Sequence, residues 1–210
     1  MWKALQQSMP LVVLPPSSRP IGPCRDSDIL QFQESVGTKL PLSYCRFAKE
    51  FGAGMINETY RIHTPYQNRH CQFELNPEYI SLAKKDWICR MPSSRIVKNT
   101  LFFGDDVFGN YFGWNIHSAA ISRTREYPIY VFDPSQKKPK KVATRFIEFV
   151  AKYCFTEPFT NEKYLEDIDE RPQFGFRPCL ELSRKPKNNV GSIVFHSKKA
   201  KEFAKRNGLQ

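Results

Sequence analysis

Few residues of this chain have the spacing that metal binding or catalysis requires. The six cysteines include no Cys-x-x-Cys pair, and zinc sites usually draw ligands from such pairs. The four histidines are far apart and form no His-Glu-x-x-His pattern. A thiol and an imidazole that are distant in sequence can still meet in a fold, so a Cys-His nucleophile stays open as the less favoured alternative. We expect no catalytic residue, no cofactor and no metal site, and we expect inert thiols in a reducing compartment.

One acidic pair, Asp105-Asp106, could in principle hold a metal ion or act as acid and base. The pair follows an apolar run and is soon followed by a glycine, which is typical of a turn that ends a strand. We therefore assign Gly104 and Asp105 to a structural turn. Gly52 and Gly54 are assigned in the same way to the turn that ends a helix.

Basic residues are the most prominent candidates for binding. The chain has 32 Lys and Arg against 21 Asp and Glu, for a net charge of +11. Such an excess favours an acidic protein, a nucleic acid or an anionic membrane surface as partner, although a solvated basic face gives the same balance. The charge is segregated, because residues 155–182 carry three basic and seven acidic side chains, whereas residues 183–210 carry eight and one.

The predicted partner-binding surface combines the basic residues around the last predicted strand with those near the end of the sequence. Its members are Arg123, Arg125, Lys137, Lys138, Lys140, Lys141, Lys198, Lys199, Lys201, Lys205 and Arg206.

Apolar residues repeated every three or four positions predict three main helices. The first covers about 28–36, the second starts at Pro41 and carries an apolar stripe to Phe51, and the third starts at Val142 after the basic run.

Runs of apolar and aromatic residues separated by turns predict the strands. They cover 56–62, 96–103, 108–116 and 127–132, and residues 63–95 predict a further strand, a loop and a short helix. Helices followed by a run of strands and a closing helix indicate an α+β fold, with an antiparallel sheet and helices packed on one face.

The two ends of the sequence differ from this middle part. Residues 1–25 are predicted to form a proline-rich arm, residues 26–154 the α+β domain, and residues 155–210 a C-terminal extension whose last segment is basic. Eighteen apolar residues never occur together, and the short apolar run near the N-terminus is bracketed by prolines. We therefore expect no membrane span and a cytoplasmic protein.

Three segments resemble the SUKH superfamily. Leu40-Pro41 with Tyr44 and Phe47 is similar to its "LP-x-x-Y-x-x-F" helix, and residues 101–106 are similar to its strand with a Gly-Asp pair. The segments 127–133 and 142–150 are similar to its final strand and closing helix. The resemblance covers roughly residues 26–154.

The resemblance implies a SUKH-like scaffold for protein binding without shared catalytic residues. Members include fungal cell-wall-assembly regulators and bacterial immunity proteins, which bind and block a toxin that is often a nuclease. Because nuclease toxins are usually basic, a net charge of +11 favours an acidic partner over a basic one. The resemblance therefore implies a non-enzymatic protein-binding domain with immunity as its specific role, and the basic charge keeps a nucleic-acid-associated protein as the alternative.

Overall fold

The computed structural model describes residues 20–66, 71–117, 125–155 and 175–180. Within them, seven strands form one sheet in which every neighbouring pair is antiparallel. The strands are β1 (Gly54–Ile56), β2 (Tyr60–Ile62), β3 (Thr100–Asp106), β4 (Tyr111–Asn115), β5 (Ile129–Phe132), β6 (Lys140–Ala143) and β7 (Phe176–Pro178). Their order across the sheet is β6-β5-β4-β3-β2-β1-β7. The α+β class and the antiparallel sheet are confirmed.

Five helices accompany the sheet, and each begins with a recognisable start signal or packs through an apolar face. They are α1 (Asp26–Val36), α2 (Leu42–Glu50), α3 (Pro77–Arg90), α4 (Arg95–Lys98) and α5 (Phe146–Glu148), which continues as a π-helical turn over Phe149–Cys154. The Asn76 side chain accepts a hydrogen bond from the Tyr79 N–H (2.8 Å), and Ser94 caps α4 in the same way. Among the described residues, no helix has the length and apolar character that crossing a membrane requires.

One face of the sheet carries a core dominated by aromatic rings. Helices α1, α2 and α5 cover this face. Phe103 and Trp114 stack at 4.2 Å between ring centroids, and Tyr44 meets Trp114 edge-on at 4.7 Å. All three rings are fully buried, so the helices predicted from the periodic sequence supply the cover that the sheet needs.

The other face is also covered, which differs from the predicted arrangement with helices on one face. Helices α3 and α4 place Trp87 and Val97 against Phe102 and Phe132 of the sheet. Every residue of β3 is therefore buried. A strand covered on both sides has a continuous apolar sequence rather than an alternating one, as Leu101-Phe102-Phe103 does.

Two boundaries predicted from sequence are wrong. Ile96, predicted in a strand, lies in α4, because the Ser94 cap starts a helical turn just before β3. Val142, predicted to start the closing helix, lies in edge strand β6, and the helix begins four residues later at Phe146. In both places the apolar segment is too short to distinguish the helical repeat from the alternation of a strand. Pairing with the sheet or packing on it then decides which of the two structures forms.

The predicted turn at Gly104 and Asp105 is also wrong, because both residues lie inside β3 and pair with β2 and β4. A Cβ at Gly104 would meet the Arg61 carbonyl oxygen, so a glycine is needed for close approach of the two strands. The turn follows instead, where the Asp106 carboxylate accepts hydrogen bonds from two backbone N–H groups. Gly52 has a φ of 74° after α2, whereas Gly54 is the first residue of β1.

Both ends of the described chain contribute to the sheet. β7 pairs with β1, although it lies in the region predicted as a C-terminal extension. Ile21, from the predicted N-terminal arm, donates its N–H to the Cys179 carbonyl (2.9 Å). The predicted division at residue 154 therefore separates one strand from its sheet. The remainder of both predicted end segments, residues 1–19, 156–174 and 181–210, lies outside the described residues.

Candidate functional site

The structure describes five members of the predicted partner-binding surface and separates them. Arg125 lies beside the start of α2, since its carbonyl accepts the Leu42 N–H (3.1 Å). Lys137 and Lys138 precede β6, so they lie at the end of the β5–β6 pair that is opposite to Arg125. The antiparallel register shows this, because Ile129 at the start of β5 pairs with Ala143 at the end of β6, and Val131 pairs with Lys140. Lys140 and Lys141 lie along edge strand β6. The other members, Arg123, Lys198, Lys199, Lys201, Lys205 and Arg206, lie outside the described residues.

Lys137 and Lys138 are brought together with residues that the sequence did not single out. They border an open depression of about 520 Å³, which we call the basic cleft, between the end of α3, the start of α4 and the β5–β6 connection. The cleft is lined by Arg90, Met91, Pro92, Ser93, Ser94, Arg95, Ile96, Lys137, Lys138 and Pro139.

Packing at the end of α3 fixes the shape of the basic cleft. Trp87 is buried against Phe132, the last residue of β5, with 5.4 Å between ring centroids. The Arg90 guanidinium lies over the Trp87 ring at 5.6 Å and pairs with Asp86 (3.2 Å). This contact orders one cation of the cleft, and the Trp87–Phe132 contact holds α3 next to the loop that carries the lysines.

The electrostatic character of the basic cleft is one-sided. Arg90, Arg95, Lys137 and Lys138 are all exposed, and none of the described residues that line the cleft is acidic. Throughout the described segments, Arg95, Lys137 and Lys138 take part in no ion pair with a carboxylate. Four cations around one depression favour carboxylates or phosphates as ligands. Such a site gains mainly in association rate and orientation, because each exposed pair contributes only about 0–1 kcal/mol.

A second polar cluster lies inside the fold, around Asp105. Its carboxylate contacts the Arg61 guanidinium (2.6 Å) and the His63 Nε2 (3.0 Å), and it accepts a hydrogen bond from the Tyr79 hydroxyl (3.3 Å). His63 also stacks on Tyr79, with 4.1 Å between ring centroids. The cluster ties β2 and β3 to α3.

The contacts of this buried cluster hold parts of the fold together. Both oxygens of the Asp105 carboxylate are occupied by protein partners. Burial, with the nearby Asp105 charge adding to it, raises the pKa of Tyr79 well above its usual value, so that its hydroxyl stays a hydrogen-bond donor. Within the described ranges, no group of three or more His, Cys, Asp and Glu side chains is placed to hold a metal ion.

Comparison with models of known protein families identifies the family of the chain. The model SUKH_6, described as SMI1-KNR4 cell-wall, matches residues 26–150, which is more than half of the 210 residues. The chain belongs to this SUKH family. No curated protein matches the chain.

The match covers most, but not all, of the described elements. It begins with α1 and ends inside the π-helical turn, so it contains the basic cleft, the buried Asp105 cluster and strands β1 to β6. β7 lies outside it. The sequence alone does not predict the α3–α4 half of the cleft, because its two arginines are five residues apart and form no basic run. The sequence pattern that could have indicated them is the position of Arg90 and Arg95 on either side of the polar connection Pro92-Ser93-Ser94.

Proposed function

We propose that this SUKH domain is a non-catalytic binding domain whose basic cleft docks an acidic segment of a partner protein. The observation that carries the proposal is the set of four exposed cations around one depression whose lining, in the part of the chain that the structure describes, contains no carboxylate. The residues of the Asp105 cluster hold elements together, and both oxygens of the Asp105 carboxylate already have protein partners.

The shape and size of the basic cleft favour a protein over a nucleic acid. Met91, Pro92, Ile96 and Pro139 place apolar surface between the cations, which suits a peptide with both acidic and apolar side chains. Proteins that bind duplex nucleic acid through its backbone commonly neutralise about 6–10 phosphates along an extended stripe. The cleft offers four cations in one depression.

The specific role that we propose is immunity: the domain binds an acidic surface of a toxin and neutralises it. Membership of a superfamily that includes immunity proteins supports a toxin as partner, and the net charge of +11 supports an acidic surface on it. Co-expression with a toxin encoded by a neighbouring gene tests this role. Growth should be restored by the wild-type chain and lost again when the cleft charges are reversed.

The docking proposal is tested with a fluorescent acidic peptide rich in Glu and Leu as the probe. Fluorescence anisotropy would compare the full chain with the Arg95→Glu/Lys137→Glu/Lys138→Glu variant at two salt concentrations. We expect at least a tenfold loss of affinity in the variant at low salt, because the favourable field at the cleft becomes repulsive.

A matched control changes the net charge equally at a distance from the cleft. Lys39→Glu/Lys49→Glu/Lys152→Glu alters exposed or half-exposed residues around α1, α2 and the π-helical turn, and it should keep most of the affinity. Equal losses in both triple variants would show that net charge alone attracts the peptide and would reject the cleft. Tighter binding of mixed-sequence duplex DNA, with a salt slope that indicates six or more phosphate contacts, would favour the nucleic-acid alternative instead.

A further inference from the structure

Two cysteines that are 108 positions apart meet in the fold. The Sγ atoms of Cys71 and Cys179 are 2.9 Å apart, within about 1 Å of the bonded sulfur–sulfur distance of ~2.05 Å. Both residues are buried, in a small apolar cluster with Ile21, Ala53 and Met55 on one side of β1. The sequence, which has no closely spaced cysteine pair, gave no sign of this contact.

The backbone holds both cysteines in place. The Cys179 N–H donates to the Ala53 carbonyl (2.8 Å), and the Cys179 carbonyl accepts the Ile21 N–H (2.9 Å). Cys179 is therefore fixed between β1 and the start of the described chain. On the other side, the Phe73 N–H donates to the Cys71 sulfur (3.3 Å). The thiol contact follows from the way β7 and its continuation join the sheet.

The two thiols differ in acidity. A hydrogen bond from Cys71, with further backbone N–H groups, lowers the pKa of the Cys179 thiol to about 7. The same contact raises the pKa of the Cys71 thiol. The lowered pKa favours the thiolate of Cys179, and the thiolate is the form that attacks disulfides.

We propose that Cys71 and Cys179 are a modification site at which a low-molecular-weight disulfide, such as oxidised glutathione, installs a reversible intramolecular disulfide. This bond would fasten the β7 segment, which lies outside the family match, to the SUKH domain. The proposal is independent of the basic cleft, whose lining includes neither cysteine.

The exchange balances in two steps. Local opening of the β7 segment exposes the buried Cys179 sulfur. Its thiolate then attacks one sulfur of oxidised glutathione, forms a mixed disulfide and releases one glutathione thiolate. Cys71 then loses its proton to the released thiolate or to solvent, and its sulfur attacks the Cys179 sulfur. The Cys71–Cys179 bond forms as the second glutathione thiolate leaves and is protonated. Two protein thiols are oxidised, and one glutathione disulfide is reduced to two thiols.

The test is incubation of the purified full chain with oxidised glutathione at pH 7.5, followed by alkylation of free thiols and mass spectrometry of the peptides. We expect a Cys71–Cys179 linked peptide that a dithiol reductant removes. The linkage should raise the unfolding midpoint by roughly 5–10 °C, because it closes a loop of about 100 residues in the unfolded chain.

Three variants separate this site from adventitious oxidation. Cys71→Ala and Cys179→Ala should each abolish the shift in midpoint, and Cys89→Ser, at an exposed cysteine, should leave it intact. The proposal is overturned if Cys71 and Cys179 stay free while Cys89 acquires glutathione, or if glutathione remains on Cys179 with Cys71 reduced. The peptide analysis of the wild-type chain decides the matter even where an alanine variant fails to fold.

Discussion

The two edges of the sheet are protected in different ways. At one edge, β6 places Lys140 and Lys141 in solvent, and charged side chains discourage pairing with another chain. At the other, β7 covers β1 and buries Phe176 completely. The charged edge belongs to the family-matched region, and the covering strand does not. The edge at β6 is therefore protected by residues of the matched region alone. Strand β1 is buried along its whole length, and its cover is a strand from farther along the chain.

The largest expected effect is at the covered edge. Phe176 packs edge-on against Phe47 and Phe51, with ring centroids 5.6 and 5.5 Å away. Phe176→Ala should lower the free energy of unfolding by about 3–5 kcal/mol, because it removes a buried ring and leaves a cavity. Urea denaturation measures the loss. The control Phe108→Ala, at a half-exposed ring in the β3–β4 turn, should change it by less than about 0.5 kcal/mol. A loss under about 1 kcal/mol at Phe176 would mean that β7 is dispensable.

A middle-sized effect is expected at the buried side chain that joins the β1–β2 turn to the β7 segment. The Asn57 side chain accepts the Gly175 N–H (2.9 Å) and donates to the Cys154 carbonyl (3.0 Å). Asn57→Gly keeps the positive φ of 50° accessible but leaves both backbone groups without these bonds. We expect a loss of about 1–3 kcal/mol in the same urea experiment.

The neighbouring turn residue supplies the matched control. Glu58 has a φ of 53° and a surface ion pair with Arg177 (3.3 Å). Glu58→Gly should therefore be nearly neutral, within about 0.5 kcal/mol, since surface pairs contribute little and the glycine relieves the positive φ. Similar losses at both positions would assign the effect to the turn backbone and not to the Asn57 side chain.

The smallest expected effect is next to the charged edge and depends on pH. Thr144, just after β6, donates to the Glu148 carboxylate, and Arg145 adds a charge; these contacts lower the pKa of Glu148 below its usual value. A lowered folded-state pKa stabilises the fold above the unfolded-state pKa, and the contribution disappears as pH falls through the folded value. Glu148→Gln should cost about 0.5 kcal/mol at pH 7, after allowance for screening by solvent.

Urea midpoints of wild type and Glu148→Gln between pH 3 and pH 7 give the readout for this edge. The difference should narrow below about pH 4.5, close to the ordinary pKa of a glutamate, and should continue to shrink toward pH 3. If the difference in urea midpoint stays constant between pH 3 and pH 7, the effect comes from the changed packing and hydrogen bonding of the side chain and not from its charge.

Much of the fold could be predicted from sequence where an element is long or strongly periodic. The apolar stripe of α2 and the run that forms β5 were found at nearly their observed bounds. Ile96 and Val142 were misassigned because a three- or four-residue apolar segment does not distinguish a helical turn from a strand. Gly104 and Asp105 have the composition of a turn, and only the close approach of β2 shows why a glycine is needed within β3.

Less of the candidate site could be predicted, for a physical reason. The lysines at 137 and 138 were found because they are adjacent in sequence. Arg95 joins them only because Trp87 packs on Phe132 and brings two distant segments together. The contact of Cys71 with Cys179 likewise depends on the pairing of β7 with β1, which no local pattern indicates.

The late position of β7 has a consequence during synthesis. Strand β1 is complete at residue 56, but the partner for its outer side is not made until residue 176. At about 5–20 residues per second, a ribosome needs roughly 6–24 s to bridge that interval. Throughout it, the nascent chain displays an unpaired backbone edge beside Phe47 and Phe51, and during this time it is most exposed to chaperones and to aggregation with neighbouring chains.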